Sequence, residues 1–525
     1  MAVDDNQYLE MYESLKNSLE EFTRMNEKLF GAAAEKTKAL QLYYNGVLKY
    51  FHDFIDAYWI SVSYFTSVEG ERLVNTSPVE TIRDYVDLLQ LNLMIAQDAL
   101  TSSHTVISNY HLRQFNETLT AWINTVYGMP GEDIETLTAK QAQLMERVVH
   151  AYPEAIRSIR DEYGFHFDSG GYKKTGETER FLLYQVLPTD KRIKVKKGGK
   201  PVMIIPPFVL GTNVLAFLPK DGKSYVHSFA NKGIPTYIRI MKDIATTPAF
   251  QLMTGEDDAR DTRVFCELLR KKHGKRVTLN GYCQGGFSAL CNILSGELDT
   301  LVDALITCVS PMDGTRSKGL ATFLRNLPPR FNDLAYGTKT LPNGNKVADG
   351  KLMGWVYKLK AIQDEYPLVS FYRDIMMLSA NGSAPGEFNK TALAINYWLT
   401  YERNDLPLAI TKMSFDSYNI PITKDGTLPV RLFGRELNLK RMKEKGIKWL
   451  ICYGEKDDLV EKETALAPID YIDAEVTVFP KGHLAIATSW SNPDSEYALH
   501  KRFGENNYRG PVLYQLDLDE AVKGE

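Results

Sequence analysis

The segment VTLNGYCQGGFSALCNIL (277–294) decides the fold of this chain. It opens with an apolar run typical of a buried strand, continues through the turn GYCQGG (281–286), and passes directly into a helical pattern. A strand, a tight turn and a helix in this order are the setting of a nucleophile elbow, here with cysteine as the candidate nucleophile. The sequence therefore predicts that the Cys283 sulfur stands open above a sheet, at the positive end of a helix, which favours thiolate.

The glycines of this turn have a steric reason. Side chains two residues on either side of the nucleophile would collide with the neighbouring strand and helix, so we predict elbow glycines at Gly281, Gly285 and Gly286. The alternative is a buried structural cysteine in a glycine-rich strand exit.

The other cysteines do not suggest chemistry of their own. They lie in apolar strand or helix contexts, where a free cysteine behaves as a small hydrophobe. An odd total of five, with no close pairing, argues against a disulfide framework and fits a reducing compartment. No CxxC or HExxH spacing occurs, so we expect no metal site.

A nucleophile elbow needs a histidine base that follows both nucleophile and acid in the chain. His483 stands in FPKGHLAI, directly after the last predicted strand, where a loop overhangs the carboxyl edge of the sheet. The remaining histidines precede the nucleophile or, like His500, lie in the polar tail. The alternative for His483 is an ordinary surface or core histidine.

The acid is expected after the preceding strand, where WLICYGEKDDLV (449–460) offers Asp457 and Asp458. The spacing to Val460 favours Asp457, and Asp458 is the alternative. The acid holds the imidazole in its useful tautomer and stabilises its cation.

An oxyanion hole requires two backbone donors. One is the amide of Gln284, directly after the nucleophile, and the other follows the strand that ends in IIPPFVLG (204–211). Its two prolines carry no amide hydrogen, so the second donor is predicted to be Phe208, with Val209 as the alternative.

Short β-branched runs alternate with helical patterns around this segment, which indicates a mostly parallel α/β sheet. The predicted strands are 179–188, 202–205, 234–240, 277–282, 302–309, 448–454 and 475–480. A long insertion at about 310–445 has helical and aromatic-rich pieces of its own, as expected of a cap over an active site.

Residues 1–163 are predicted to be an all-α helical domain, joined by a linker (164–178) to a catalytic domain (179–515). A capping box at 77–80 predicts a helix that places Ile82, Val86, Leu89 and Leu93 on one face. This apolar stripe is either buried within a helical bundle or docks on another hydrophobic body.

Composition excludes several classes of protein. A net charge of −4 over 525 residues does not indicate the basic surface expected of a nucleic-acid-binding protein. The acidic start MAVDDNQYLE is not a secretory signal, and the apolar stretch 201–219 is interrupted by prolines and glycine, so no membrane span is expected. We therefore expect a cytoplasmic protein.

Over roughly 175–500, the sequence resembles the poly(3-hydroxyalkanoate) synthase family, which has an α/β-hydrolase fold. The likeness includes PVMIIPPFVLGTNVLAFLP, IPTYIRIMKD, the GYCQGG box, GEKDDLV and KGHLAI. By resemblance, Cys283 is the acyl-carrying cysteine, His483 its base and Asp457 the aspartate. The family typically has histidine where Asp458 stands, and often a polar residue at Phe287. The helical front end is loosely similar to phasins, amphipathic proteins that coat polymer granules.

The resemblance implies an acyltransferase that polymerises (R)-3-hydroxyacyl-CoA into polyhydroxyalkanoate and releases coenzyme A, with no cofactor beyond that thioester substrate. It also implies the growing polyester and a granule surface as partners, and a homodimer. Two alternatives stay open: a thioesterase or polyester hydrolase with the same triad, and a granule-associated protein without efficient catalysis.

Overall fold

The computed structural model describes residues 5–380, 387–484, 496 and 510–516. The predicted catalytic domain ends at 515, but 485–495 and 497–509 lie outside the described residues. His500 and the final Ala-Ile of FPKGHLAI fall in these ranges.

Long helices dominate the first part of the described chain, and shorter ones follow between and after the strands. The α-helices are α1 (Asp5–Arg72), α2 (Pro78–Tyr127), α3 (Ile134–Glu146), α4 (Tyr152–Ser158), α5 (Tyr225–Ala230), α6 (Pro248–Gln251), α7 (Gly255–His273), α8 (Gln284–Leu294), α9 (Leu320–Asn326), α10 (Gly350–Lys360), α11 (Ile362–Glu365), α12 (Pro367–Ala380), α13 (Lys390–Tyr401), α14 (Leu408–Asn419), α15 (Lys440–Glu444) and α16 (Lys462–Ala465).

The strands begin after the long helices. They are β1 (Tyr172–Glu177), β2 (Phe181–Val186), β3 (Val202–Ile205), β4 (Thr236–Met241), β5 (Val277–Tyr282), β6 (Val302–Cys308), β7 (Thr338–Thr340), β8 (Lys346–Ala348), β9 (Leu406–Pro407), β10 (Thr427–Leu432), β11 (Arg435–Asn438), β12 (Lys448–Gly454) and β13 (Glu475–Phe479).

Eight of these strands form one sheet, in the order β1-β2-β4-β3-β5-β6-β12-β13. Strand β2 pairs antiparallel with both of its neighbours, β1 and β4, and all other neighbours pair parallel. Every residue of β3 and β5 is buried, because helices cover both faces of a parallel sheet. This mixed, mostly parallel sheet with its elbow after β5 is an α/β-hydrolase fold, as the sequence predicted.

All seven predicted strands are present, and both ends of each lie within two residues of the predicted ends. The prediction of a linker over 164–178 was wrong for its second half, because β1 (YKKTGE) pairs along β2 at the sheet edge. Its lysines and glycine resemble linker residues because an edge strand is exposed and needs no apolar alternation.

The insertion between β6 and β12 contains two small sheets, β7-β8-β9 and β10-β11, besides its helices. These short strands carry too little alternation to be recognised from sequence.

The chain forms two compact units. One comprises Met1–Trp59, Asn92–Ser158 and Ala361–Asn389, and the other comprises Ile60–Leu91, Ile159–Lys360 and Lys390–Glu525. The predicted domain boundary at 163 does not separate them, because Ile60–Leu91 belongs with the sheet. Helical periodicity could not reveal this, since α1 continues without interruption through residues 59 and 60.

Helix α2 begins at Pro78, as the capping box predicted, but its predicted apolar face is exposed: Ile82, Val86, Leu89 and Leu93 are 48–65% accessible. The interpretation that this stripe is buried in a bundle was therefore wrong. Thr81 and Leu91 are buried instead, and Tyr85 and Leu88 are half-buried. Apolar residues occur on both faces of α2, so periodicity alone did not identify the inward one.

The first unit has a small core of Ala32, Ala121, Ile134 and Leu137.

Among the described helices, none has the length and apolarity needed to cross a membrane.

Candidate active site

The elbow is held in a strained backbone conformation at Cys283. Its φ of 51° and ψ of −128° lie where residues other than glycine rarely occur, and such strain is typical of functional sites. The Cys283 amide donates to the Cys308 carbonyl at 2.8 Å, and the Gly286 amide donates to the Cys283 carbonyl at 2.9 Å. These bonds fix the turn between β5 and α8.

The three elbow glycines are required by space. A Cβ at Gly281 would lie 2.2 Å from the Gly286 Cα, and one at Gly286 would lie 2.0 Å from the Ser310 Oγ. A Cβ at Gly285 would lie 2.4 Å from the carbonyl oxygens at the end of β3, those of Ile205 and Pro206. None of the three glycines has a positive φ, so lack of space is the reason for glycine here: backbone atoms crowd Gly281 and Gly285, and the Ser310 side chain crowds Gly286.

The structure places Asp457 beside His483. The His483 Nδ1 lies 2.9 Å from the Asp457 Oδ2, and because a carboxylate only accepts, Nδ1 is the donor. The other carboxylate oxygen accepts from the amides of Leu459 and Val460 at 3.0 and 2.9 Å. The alternative acid, Asp458, is exposed, and its backbone carbonyl accepts from the Lys360 ammonium.

His483 is buried and strongly influenced by its neighbours. Burial by itself lowers the pKa of the imidazole, but Asp457 and Cys283 outweigh it and raise that pKa to about 10. Nε2 is buried and makes no well-aligned hydrogen bond to any described residue, so this nitrogen is left for the sulfur or a substrate. The Tyr282 hydroxyl donates to the His483 carbonyl at 2.8 Å and so positions the loop.

The loop after β3 meets the elbow through a side chain. The Val209 amide donates to the Gln284 Oε1 at 3.4 Å, and the Gln284 Nε2 donates to the Ser414 Oγ at 2.6 Å. Val209 and Gln284 both line the cavity that Cys283 borders, whereas Phe208, the predicted donor, is not on its wall and is 1% exposed. Of the two, Val209 lines the cavity, but its amide is engaged by the Gln284 side chain in this structure.

A cavity of about 360 Å³ adjoins Cys283, within the usual range for ligand pockets. Its wall is mostly apolar, and much of it comes from the insertion, including Leu320, Phe323, Leu352 and Trp355. Cys283 is only 7% exposed, so the sulfur predicted to stand open is instead reached through this cavity.

Two cap tyrosines on the wall were missed by sequence reasoning. Tyr357 and Tyr418 line the cavity. Burial raises the pKa of both hydroxyls, and the nearby Cys283 raises it further, so both stay protonated at neutral pH. The aromatic-rich segment GWVYKLK (354–360) was the available signal for the first.

In the part of the chain that the structure describes, no three histidine, cysteine or acidic side chains are grouped so as to hold a metal ion.

Fold and site together define an α/β-hydrolase-fold protein in which a cysteine, a histidine and an aspartate converge at the elbow. No protein-family model matches the sequence, and no curated protein matches it. Solved structures that are similar include a carboxylesterase of Nitrososphaera gargenis (13% identity, TM-score 0.34, covering 60% of this chain and 92% of that chain). Others are Est1E from Butyrivibrio proteoclasticus (11%, 0.30, 68% and 97%) and the thioesterase domain from the curacin biosynthetic pathway (11%, 0.31, 60% and 94%).

Proposed function

We propose that this protein is a cysteine acyltransferase that polymerises (R)-3-hydroxyacyl groups from their coenzyme A thioesters. The observation that carries the proposal is Cys283, which occupies a strained elbow on the wall of an apolar cavity, with the His483–Asp457 pair beside it. A cysteine suits transfer because its thioester is close in free energy to the coenzyme A thioester. The acyl group therefore stays activated for a second step.

In the first step, His483 takes the thiol proton and the Cys283 sulfur attacks the thioester carbonyl carbon. The bond from that carbon to the coenzyme A sulfur breaks, and the departing thiolate receives the proton from His483. The amide of Gln284 donates to the oxyanion that forms between these events, and so does that of Val209 once it releases the Gln284 Oε1.

In the second step, His483 takes the proton of an incoming 3-hydroxyl group whose oxygen attacks the Cys283 thioester. A new ester bond forms, the carbon–sulfur bond breaks, and the sulfur regains its proton from His483. Repetition lengthens a polyester. The apolar cap residues around the cavity keep water from the thioester, which favours transfer over hydrolysis.

The test is incubation of the purified protein with 3-hydroxybutyryl-CoA, followed by measurement of free coenzyme A, polymer and the mass of the Cys283 peptide. We expect an acyl adduct on Cys283 and polymer, both abolished in Cys283→Ala and retained in Cys291→Ala, a second buried cysteine. Free hydroxy acid without polymer would establish a hydrolase instead. Absence of any adduct would leave a non-catalytic granule protein.

Apolar side chains on the long helices support the proposed location at a polymer surface. On α1, Leu15, Leu19 and Phe22 share one face and are 58–71% exposed. We expect sedimentation with amorphous polyhydroxybutyrate particles to be weakened by aspartate at these three positions. Aspartate at Ser14 and Asn17, which are exposed and lie off this face, adds two charges elsewhere on the same helix and should leave sedimentation unchanged.

A further inference from the structure

The wall of the candidate active-site cavity includes side chains from far outside the sheet and its insertion. Ser61 and Phe65 of α1 and Leu88 of α2 line the cavity together with Cys283. They lie in Ile60–Leu91, which we call the hairpin tip, and this segment belongs to the same compact unit as the sheet. The region predicted to be a separate helical domain thus contributes to the candidate site.

A buried carboxylate fastens the hairpin tip to the insertion. Glu69 is 3% exposed, and the Arg330 guanidinium donates to both of its oxygens, at 2.6 and 3.3 Å. The hydroxyls of Tyr85 and Tyr336 donate to the same carboxylate at 2.6 and 2.5 Å. Burial alone would raise the pKa of Glu69, but these hydrogen bonds lower it, so the group stays charged and paired.

Aromatic packing surrounds this ionic contact. The Phe65 ring lies 5.6 Å from that of Phe331 and 6.0 Å from those of Tyr85 and Tyr336, measured between ring centroids. Phe331 and Tyr336 also line the cavity. Phe65 therefore packs against Phe331 and Tyr336, which line the cavity beside it, and these contacts fix the position of its ring.

Two further polar contacts join the hairpin tip to the insertion, beside the aromatic rings around Phe65. The Arg72 guanidinium donates to the Asp333 carboxylate at 2.5 Å, and the Tyr64 hydroxyl donates to the Asp349 carboxylate at 2.6 Å. Asp333 is the one charged residue among the described side chains that line the cavity, and Arg72 neutralises it. The cavity accordingly favours an uncharged, apolar group.

We propose that the hairpin tip sets the length of acyl chain admitted to Cys283, with Phe65 and Leu88 as the specificity-determining side chains. The ligand is an apolar acyl chain attached at the sulfur. The identification of this ligand as an acyl group rests on the proposed function, whereas the role of the hairpin tip as a wall rests on the cavity alone.

Alkyl methanethiosulfonates of increasing chain length test the wall without requiring acyl transfer. The Cys283 sulfur attacks the reagent, a mixed disulfide to the alkyl chain forms, and methanesulfinate leaves. Rates are measured by mass spectrometry of the Cys283 peptide, from methyl to decyl. Leu88→Trp is compared with Leu89→Trp, its neighbour on α2 that is 58% exposed and off the cavity wall.

We expect Leu88→Trp to slow the long reagents about 10-fold relative to the methyl reagent, and Leu89→Trp to keep the wild-type profile. Phe65→Ala should increase the rate at which the longest reagents label Cys283. The rate of labelling by the methyl reagent shows, for each variant, that the elbow is still folded and that the Cys283 sulfur is still accessible. Identical length profiles for Leu88→Trp and Leu89→Trp would overturn the proposal.

The same variants are then loaded with 3-hydroxyacyl-CoA of increasing chain length. If the wild type never becomes acylated while the chain-length dependence of alkyl labelling still changes in Leu88→Trp, the acyltransferase proposal fails. The proposal that the hairpin tip limits chain length is then still supported. If acylation occurs with an unchanged length preference in Leu88→Trp, the wall proposal fails by itself.

Discussion

His483 and Asp457 are 26 residues apart in the chain, and their side chains are joined by one hydrogen bond of 2.9 Å between Nδ1 and Oδ2. The two loops that carry them follow the parallel neighbours β12 and β13, so both emerge at the same edge of the sheet. The second carboxylate oxygen is held by the amides of Leu459 and Val460, which fixes the acid before any substrate arrives.

Asp457→Asn is expected to slow acylation of Cys283 by about 10³-fold, because a neutral amide does not stabilise the imidazolium that forms when His483 takes the thiol proton. Asp458→Asn is the matched control, since this adjacent carboxylate is exposed, and it should stay within about 2-fold of wild type. Single-turnover acylation followed by mass spectrometry gives both rates. Equal losses in the two variants would remove Asp457 from its proposed role.

The stability that Asp457 contributes through His483 should depend on pH. The folded-state pKa of His483 is raised to about 10, above the value of about 6.5 expected in the unfolded chain, so the folded state binds the proton more tightly. This contribution is fully present below pH 6.5 and is lost as the pH rises towards 10. Urea unfolding at pH 6, 8 and 10 should show a gap between wild type and Asp457→Asn that narrows with pH. A gap that widens would contradict the raised pKa.

Gly285→Ala is expected to lower the free energy of unfolding by about 2 kcal/mol or more, because the new methyl group would meet two backbone oxygens at 2.4 Å. Gly198→Ala is the control, since a Cβ there has no neighbour within 4 Å and the backbone φ is not positive. Its change should stay within about 0.5 kcal/mol. Chemical denaturation measures both, and a tolerated Gly285→Ala would mean that the elbow and the β3 loop are not in close contact.

Glu69→Gln is expected to destabilise the unit that holds the sheet by about 3 kcal/mol, because it leaves the Arg330 guanidinium buried without its counter-charge. Glu71→Gln, two residues away and exposed, should change stability by less than about 0.5 kcal/mol. Thermal and urea unfolding provide the measurement. Similar stabilities for the two variants would show that the carboxylate does not fasten the hairpin tip.

The elbow and the sheet could be predicted from the sequence because both depend largely on residues that are neighbours in the chain. Strand β5, the turn and α8 are consecutive, and the backbone atoms that exclude a side chain at Gly281 belong to Gly285 and Gly286, a few residues further on. The buried strands are runs of β-branched residues covered on both faces, which is a local compositional signal. Strand β1 was missed because an exposed edge strand carries no such signal.

The choice between Asp457 and Asp458 depended on spacing in the sequence and on side-chain direction in the structure. Successive residues in a loop can point in different directions, and only the fold shows that one faces His483 while the other faces solvent.

By itself, the sequence determined the order of elements, the cysteine at the strand–helix turn and the histidine after the last strand. Each of these features depends on residues that are contiguous in the chain. Only the tertiary structure decided that the sulfur lies within a cavity, and that Phe65 and Leu88 form part of its wall. Glu69 and Arg330 are 261 residues apart, and no local pattern pairs them. Their contact exists because burying a carboxylate requires a cation beside it, and the fold alone determines which cation that is.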